Sequence, residues 1–178
     1  MEEKKFLIVV DMQKDFIDGA LGSAEAQAIV GAAAERIRAC RKEGYRVFAT
    51  LDTHGENYME TAEGKKLPVP HCIRGTEGWQ LNPVIREALG DAELVEKPTF
   101  GSVRLAERLR EEIAEGSAAR IELMGLCTDI CVVSNALLLK ANFPEAAMAV
   151  YVKGCAGVTP EKHRAALETM QSCQIDLL

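Results

Sequence analysis

Apolar positions along this chain follow two rhythms. Short runs at Phe6–Val10, Arg46–Leu51, Glu93–Val95, Ile121–Met124, Ala147–Val152 and Gln174–Leu178 read as six strands, the first of them buried on both faces. Between them the spacing turns helical. Ala24–Lys42 predicts a helix with Ala28, Ala32, Ile37 and Cys40 facing inward, ended by Gly44. Asn82–Leu89 predicts one or two helical turns, and Val103–Glu115 a charged amphipathic helix. Gly125 ends the fourth strand, and the helix after it carries Val132, Ala136, Leu137 and Leu139 on its apolar side. Pro160–Ser172 opens with a proline suited to a first helical turn. Only Thr53–Leu81 lacks a clean period, and a long irregular stretch inside a compact domain is often a working loop.

Strands alternating with helices imply βαβ units, and hence an α/β fold with a parallel sheet covered by helices on both sides. The 178 residues suit one domain, spanning 1–178, with enough core to need no disulfide framework. Composition narrows the function. A net charge of -6 without a Lys/Arg cluster, together with 5% aromatic residues, argues against a nucleic-acid surface. No apolar run is long enough to span a bilayer, and the opening MEEKK leads directly into a strand rather than a signal sequence. Six scattered cysteines fit free thiols in a reducing cytoplasm.

In parallel sheets ligands sit beyond the carboxyl ends of the strands. Asp11 follows strand one, Asp52 and His54 follow strand two, Lys97 follows strand three, and Cys131 follows strand four. Taken singly these are ordinary caps or loop residues. Taken together they put four sets of ionisable groups on one edge. Thr128 and Asp129 offer N-cap oxygens to the fourth helix, and Cys131 lies in its first turn, where free N–H groups and the helix dipole favour a thiolate. Attack on a carbonyl also calls for a base, for which Asp11 is the candidate, and a balancing cation, for which Lys97 is. The N–H groups of Cys127 and Cys131 are candidates for an oxyanion hole. Asp52 and His54 at a strand end, with His71 from the loop, make a possible metal half-shell with open positions.

The segments LIVVDMQKDF, DTH, PHCIRGT, EKPTFGS and GLCTDICV resemble those of the isochorismatase-like cysteine hydrolases, and among these the nicotinamidases. The resemblance runs over essentially the whole chain. It implies a three-layer α/β/α fold with a six-stranded parallel sheet, a triad at Asp11, Lys97 and Cys131, and a non-proline cis peptide at Leu126–Cys127. It further implies hydrolysis of a small-molecule amide, nicotinamide by preference, through a Cys131 thioester. A divalent metal, zinc by preference, would sit on Asp52, His54 and His71, with Glu63 as fourth ligand and Glu60 as its alternative. Relatives also imply a homo-oligomer.

Where the family has an aromatic residue ahead of the third ligand, this chain reads LPVPH, so Phe16, Trp79 and Phe100 become the candidates for a pocket wall. Three other readings stay in play. These are a cysteine hydrolase of another carbamoyl, amide or isochorismatase-type substrate, a catalytically silent metal- or metabolite-binding module, and a thiol redox protein using Cys127 and Cys131. The last lacks the CxxC spacing.

Overall fold

The computed structural model describes residues 3–114 and 117–178. β1 (Lys4–Val10) leads through α1 (Lys14–Ile17), α2 (Ala24–Ala28) and α3 (Val30–Lys42) to β2 (Arg46–Asp52). A 3-10 turn (Tyr58–Glu60), α4 (Ala62–Lys66) and α5 (Pro83–Leu89) precede β3 (Glu93–Lys97). Next come α6 (Val103–Glu112), β4 (Ala119–Leu126), a π-helical turn (Thr128–Val132) and α7 (Val133–Asn142). β5 (Ala147–Ala156), α8 (Pro160–Ser172) and β6 (Asp176–Leu177) complete the order.

The six strands form one parallel sheet in the order β3-β2-β1-β4-β5-β6. The chain winds outward from β1 to β3, crosses back, and winds the other way from β4 to β6. With right-handed crossovers, that reversal sends the two sets of helices to opposite faces. α3 packs on α5, while α7 packs on both α6 and α8. The direction changes between β1 and β4, the crevice where open α/β sheets bind ligands. Asp11 and Cys131 flank it. β1 owes its central place to composition, since Leu7 to Val10 are entirely buried. The one acidic residue inside β4, Glu122, is 1% exposed and tolerated because Arg36 meets both its oxygens at 2.6 Å. No described helix is long and apolar enough to cross a membrane.

Several element boundaries differ from the expectation. Ile29 splits the helix expected over Ala24–Lys42. Its backbone stays near helical (φ −85°, ψ −12°), so the chain kinks rather than turns away. The kink leaves Ala28 exposed and Ala32 half-buried, and the inward face becomes Ala33, Ala34, Ile37 and Cys40. Gly125 does not end β4, which continues to Leu126. Glycine is required there for close approach: a Cβ would stand 2.1 Å from the Val10 carbonyl oxygen, and φ is +130°. β3 runs on to Lys97, β5 runs on to Ala156, and β6 is only Asp176–Leu177. The helix expected to reach Glu115 ends at Glu112, and Glu115 itself lies outside the described residues. The irregular Thr53–Leu81 segment holds the 3-10 turn and α4, each too short to show a period.

Candidate active site

β1 delivers Asp11 in a left-handed conformation (φ +49°), fully buried. Thr50, from the neighbouring β2, fixes it. The Thr50 hydroxyl donates to Asp11 Oδ1 at 2.7 Å, and the Asp11 N–H donates to the Thr50 carbonyl at 3.2 Å. Asp11 Oδ2 pairs with Lys97 Nζ at 2.6 Å, and a second lone pair on that oxygen is left to accept a proton. Lys97, 1% exposed at the end of β3, sends its ammonium into the middle of the group. Besides Asp11, Nζ lies 2.9 Å from the Thr99 carbonyl, 3.4 Å from Cys131 Sγ and 3.4 Å from Asp52 Oδ1. Asp11, Lys97 and Cys131 are thus brought together from β1, β3 and the turn after β4.

Burial dominates the electrostatics. It pushes the Asp11 carboxyl up, against the opposing pull of Lys97. Burial opposes the charge on Lys97 as well, yet its acidic neighbours, Asp11 foremost, outweigh it and hold the amine above its ordinary value. Cys131 corrects the expectation of a resident thiolate. It is 5% exposed, and burial followed by the Asp11 charge raises its thiol well above normal, with Lys97 only partly compensating. The resting sulfur is therefore a thiol, with the Asp11 carboxyl beside it.

The turn carrying Cys131 differs from the expected helix start. Thr128–Val132 is π-helical with Cys127 at its N-cap, so Thr128 and Asp129 are its first two residues rather than its caps. The Leu126–Cys127 peptide is cis. Ile130 and Val132 N–H both donate to the Cys127 carbonyl at 3.1 Å, while the Cys131 N–H between them does not. The Cys127 N–H likewise reaches no backbone carbonyl among the described residues.

Beside this group stands a second cluster. Donor atoms of Asp52, His54, Glu63 and His71 all lie within 4.8 Å of one another. His54 Nε2 and His71 Nε2 lie 3.0 and 3.4 Å from Asp52 Oδ2, and each lies 3.7 Å from Glu63 Oε1. The edges of a tetrahedron with metal–ligand bonds of about 2.0–2.1 Å are about 3.3 Å, so these separations fit a divalent ion such as zinc. The His71 Nδ1–H donates to the Val69 carbonyl at 2.8 Å, which fixes Nε2 as the inward nitrogen. Charge points the same way. Burial and the neighbouring Asp52 push Glu63 up. Burial also acts to raise Asp52, but bonds to His54 and His71 and the Lys97 charge prevail and leave it below its ordinary value. Two adjoining carboxylates of this kind call for a cation. Glu60, the alternative ligand, is exposed on the 3-10 turn and outside the cluster.

Both groups open into one cavity of about 500 Å³, lined among others by Asp52, Glu63, His71, Leu126, Cys127 and Cys131. Phe16 and Phe100 form part of its wall, and Phe16 also packs on His71 with ring centroids 5.5 Å apart. Trp79 does not line it. Its indole N–H donates to Thr53 Oγ1 at 2.9 Å and its ring packs on the core, so the expected pocket role is corrected. Cys72 is a buried thiol whose ionisation burial suppresses.

Four supporting residues escaped the sequence reading. Besides Thr50, Gln13 clamps the end of β2, donating to the Asp52 carbonyl at 2.9 Å and accepting from its N–H at 2.8 Å. Asn135 ties the β3–α6 loop to the reactive turn, accepting from Ser102 N–H at 2.9 Å and donating to the Cys131 carbonyl at 2.8 Å. Tyr58 packs edge-on against both cluster histidines. The two-residue offsets of Gln13 from Asp11 and of Thr50 from Asp52 were the only available signal.

Comparison with known proteins decides the family, because the Isochorismatase domain profile matches residues 5–178. The chain belongs to the isochorismatase family. Within this family it is 26% identical to the nicotinamidase/pyrazinamidase of Mycobacterium tuberculosis, over 97% of each chain. The fold matches the crystal structure of a Bacillus subtilis nicotinamidase/pyrazinamidase with a TM-score of 0.84 and 27% identity, covering 98% of both chains. It also matches the zinc complex of a Pyrococcus horikoshii pyrazinamidase, with a TM-score of 0.81, 28% identity and 98% of both chains covered.

Proposed function

We propose that this protein is an amidohydrolase that converts nicotinamide to nicotinate and ammonia. The observation that carries the reading is the shared cavity, in which a carboxylate–ammonium–thiol group adjoins a His/carboxylate donor cluster. In this reading the Cys131 sulfur attacks the amide carbon while its proton passes to the Asp11 carboxylate. The high thiol pKa suits this timing, since the anion forms only as the carbon–sulfur bond does. Lys97, touching both partners, keeps negative charge affordable as it shifts from Asp11 to sulfur. The carbonyl oxygen takes the N–H groups of Cys127 and Cys131, an interaction typically worth about 3 kcal/mol per donor in the transition state. Asp11 returns its proton to the departing ammonia, leaving a thioester. It then deprotonates the water that cleaves the thioester to carboxylate and thiol.

Asp52, His54, Glu63 and His71 would hold a divalent metal, zinc by donor set and by the zinc-bound relative, supplying a Lewis-acid contact for the ring nitrogen. The wall of Phe16 and Phe100 suits a flat ring. Ammonia release from nicotinamide with zinc supplied, lost in Cys131→Ala, is the expected result. Release from another amide and none from nicotinamide would overturn the substrate assignment; retained release in Cys131→Ala would overturn the chemistry.

A further inference from the structure

α1 is a single turn, yet it meets the His71 loop through two neighbouring residues. Phe16 packs on the His71 ring. Asp15, beside it, belongs neither to the donor cluster nor to the cavity wall. Its carboxylate bonds backbone instead: Oδ2 accepts the Cys72 N–H at 2.8 Å, and Oδ1 accepts the Ala20 N–H at 3.3 Å.

Cys72 is the residue through which the two histidines are joined. It follows His71 in the chain, and its carbonyl accepts the His54 N–H at 2.9 Å. The His54 carbonyl accepts the Arg74 N–H at 2.9 Å, so the backbone of His54 is seated on Cys72 and Arg74. Cys72 is left-handed (φ +46°) without being glycine, a conformation that needs outside contacts to impose it. Among the described residues, the Asp15 carboxylate is the one side chain bonded to the Cys72 backbone. Its base is fixed in turn, since the Lys14 and Asp15 N–H groups donate to the Gln80 and Gly78 carbonyls at 2.9 and 3.0 Å. Gly78 makes room for the carboxylate: a Cβ there would overlap both its oxygens.

We propose that Asp15 is a positioning residue for metal binding, which by holding Cys72 sets the backbones of His71 and His54 so that both rings meet one ion. This rests on reading the donor cluster as a zinc site. Zinc affinity of the metal-free protein, measured by competition with a chromophoric chelator, tests it without turnover. Asp15→Ala lowers that affinity about tenfold, the low end of the loss when an outer contact of a metal site is removed. Asp15→Asn, whose carboxamide oxygen can still accept the Cys72 N–H, keeps most of it and guards against a folding defect in the alanine variant.

Gly78→Ala separates positioning from bulk stability. Its methyl group expels the Asp15 carboxylate and lowers zinc affinity by a similar factor. In an Asp15→Ala background, with no carboxylate to expel, it changes the affinity by less than about twofold. Independently of metal, amide hydrogen exchange at Cys72 and His54 quickens in Asp15→Ala while β1 exchanges as in the wild type. Unaltered zinc affinity in Asp15→Ala, or equal losses from Gly78→Ala in both backgrounds, would overturn the proposal. A wild-type protein that binds no zinc would remove the metal reading alone, and unaltered exchange at His54 in Asp15→Ala would then overturn this one.

Discussion

Asp52 and Lys97 stand 3.4 Å apart, and this contact joins the two chemical groups of the cavity. Asp52 Oδ1 faces the ammonium that serves Asp11 and Cys131, while Oδ2 faces His54 and His71. One carboxylate thus takes part in both. Losing His54 weakens only the donor cluster, whereas losing the Asp52 charge disturbs both groups. In His54→Ala, bound metal and kcat fall together, on the order of 10–100-fold, and excess zinc recovers much of the rate. In Asp52→Asn, zinc does not recover it. Metal content by mass spectrometry beside kcat at rising zinc checks the contrast.

Lys97 also matters to stability. It and Asp11 are completely buried, 2.6 Å apart, with Asp52 beside them. Lys97→Met leaves two carboxylates facing each other in a dry site, and breaking such a pair costs about 3–5 kcal/mol. Adding Asp11→Asn removes one uncompensated charge, so the double variant is expected to unfold at higher urea than Lys97→Met alone. A double variant no more stable than the single would show that the buried charge is not the cost.

The strand pattern and the Asp11, Lys97 and Cys131 positions were legible in the sequence because each follows an apolar run, and a parallel sheet gathers those ends on one edge. What was not legible depends on contacts between remote segments. The Thr50 hydroxyl gains its meaning only where β2 lies beside β1, and Asn135 only where α7 meets the β3–α6 loop. Cys131 exposed a rule applied too locally. Helix-terminus reasoning favours a thiolate, but burial outweighs a dipole effect of about 0.3–1 kcal/mol. Thr128 and Asp129 read as caps from their residue types, yet the turn starts one residue earlier, at Cys127, and their side chains meet His163 of α8 and the Val158 N–H ahead of it.

Asp11 sets the acid side of the pH profile. Burial pushes its pKa above the ordinary 3.8, the Lys97 charge opposing. Protonating it fills the lone pair that must receive the thiol proton, so activity falls as pH falls through this raised value. The acid limb of kcat/KM for nicotinamide is expected at an apparent pKa above that of a free aspartate, and it reports the coupled group rather than one residue. An acid limb at or below the ordinary value would argue that Asp11 is not the base. Asp11→Asn should show no such limb, only a low residual rate.

Phe16 and Trp79 look interchangeable as pocket aromatics in sequence, but only Phe16 lines the cavity. Its ring also braces His71, at 5.5 Å between centroids. Phe16→Ala therefore removes a wall that a flat substrate needs and loosens a donor at once, so KM for nicotinamide rises and zinc affinity drops. Trp79→Phe keeps the ring packing and loses one indole bond to Thr53, at a cost of about 1 kcal/mol in stability. It leaves KM and zinc affinity as they are. Steady-state kinetics on the two variants, paired with zinc titration, separate a cavity wall from a core brace. A rise in KM for Trp79→Phe with none for Phe16→Ala would reverse the assignment.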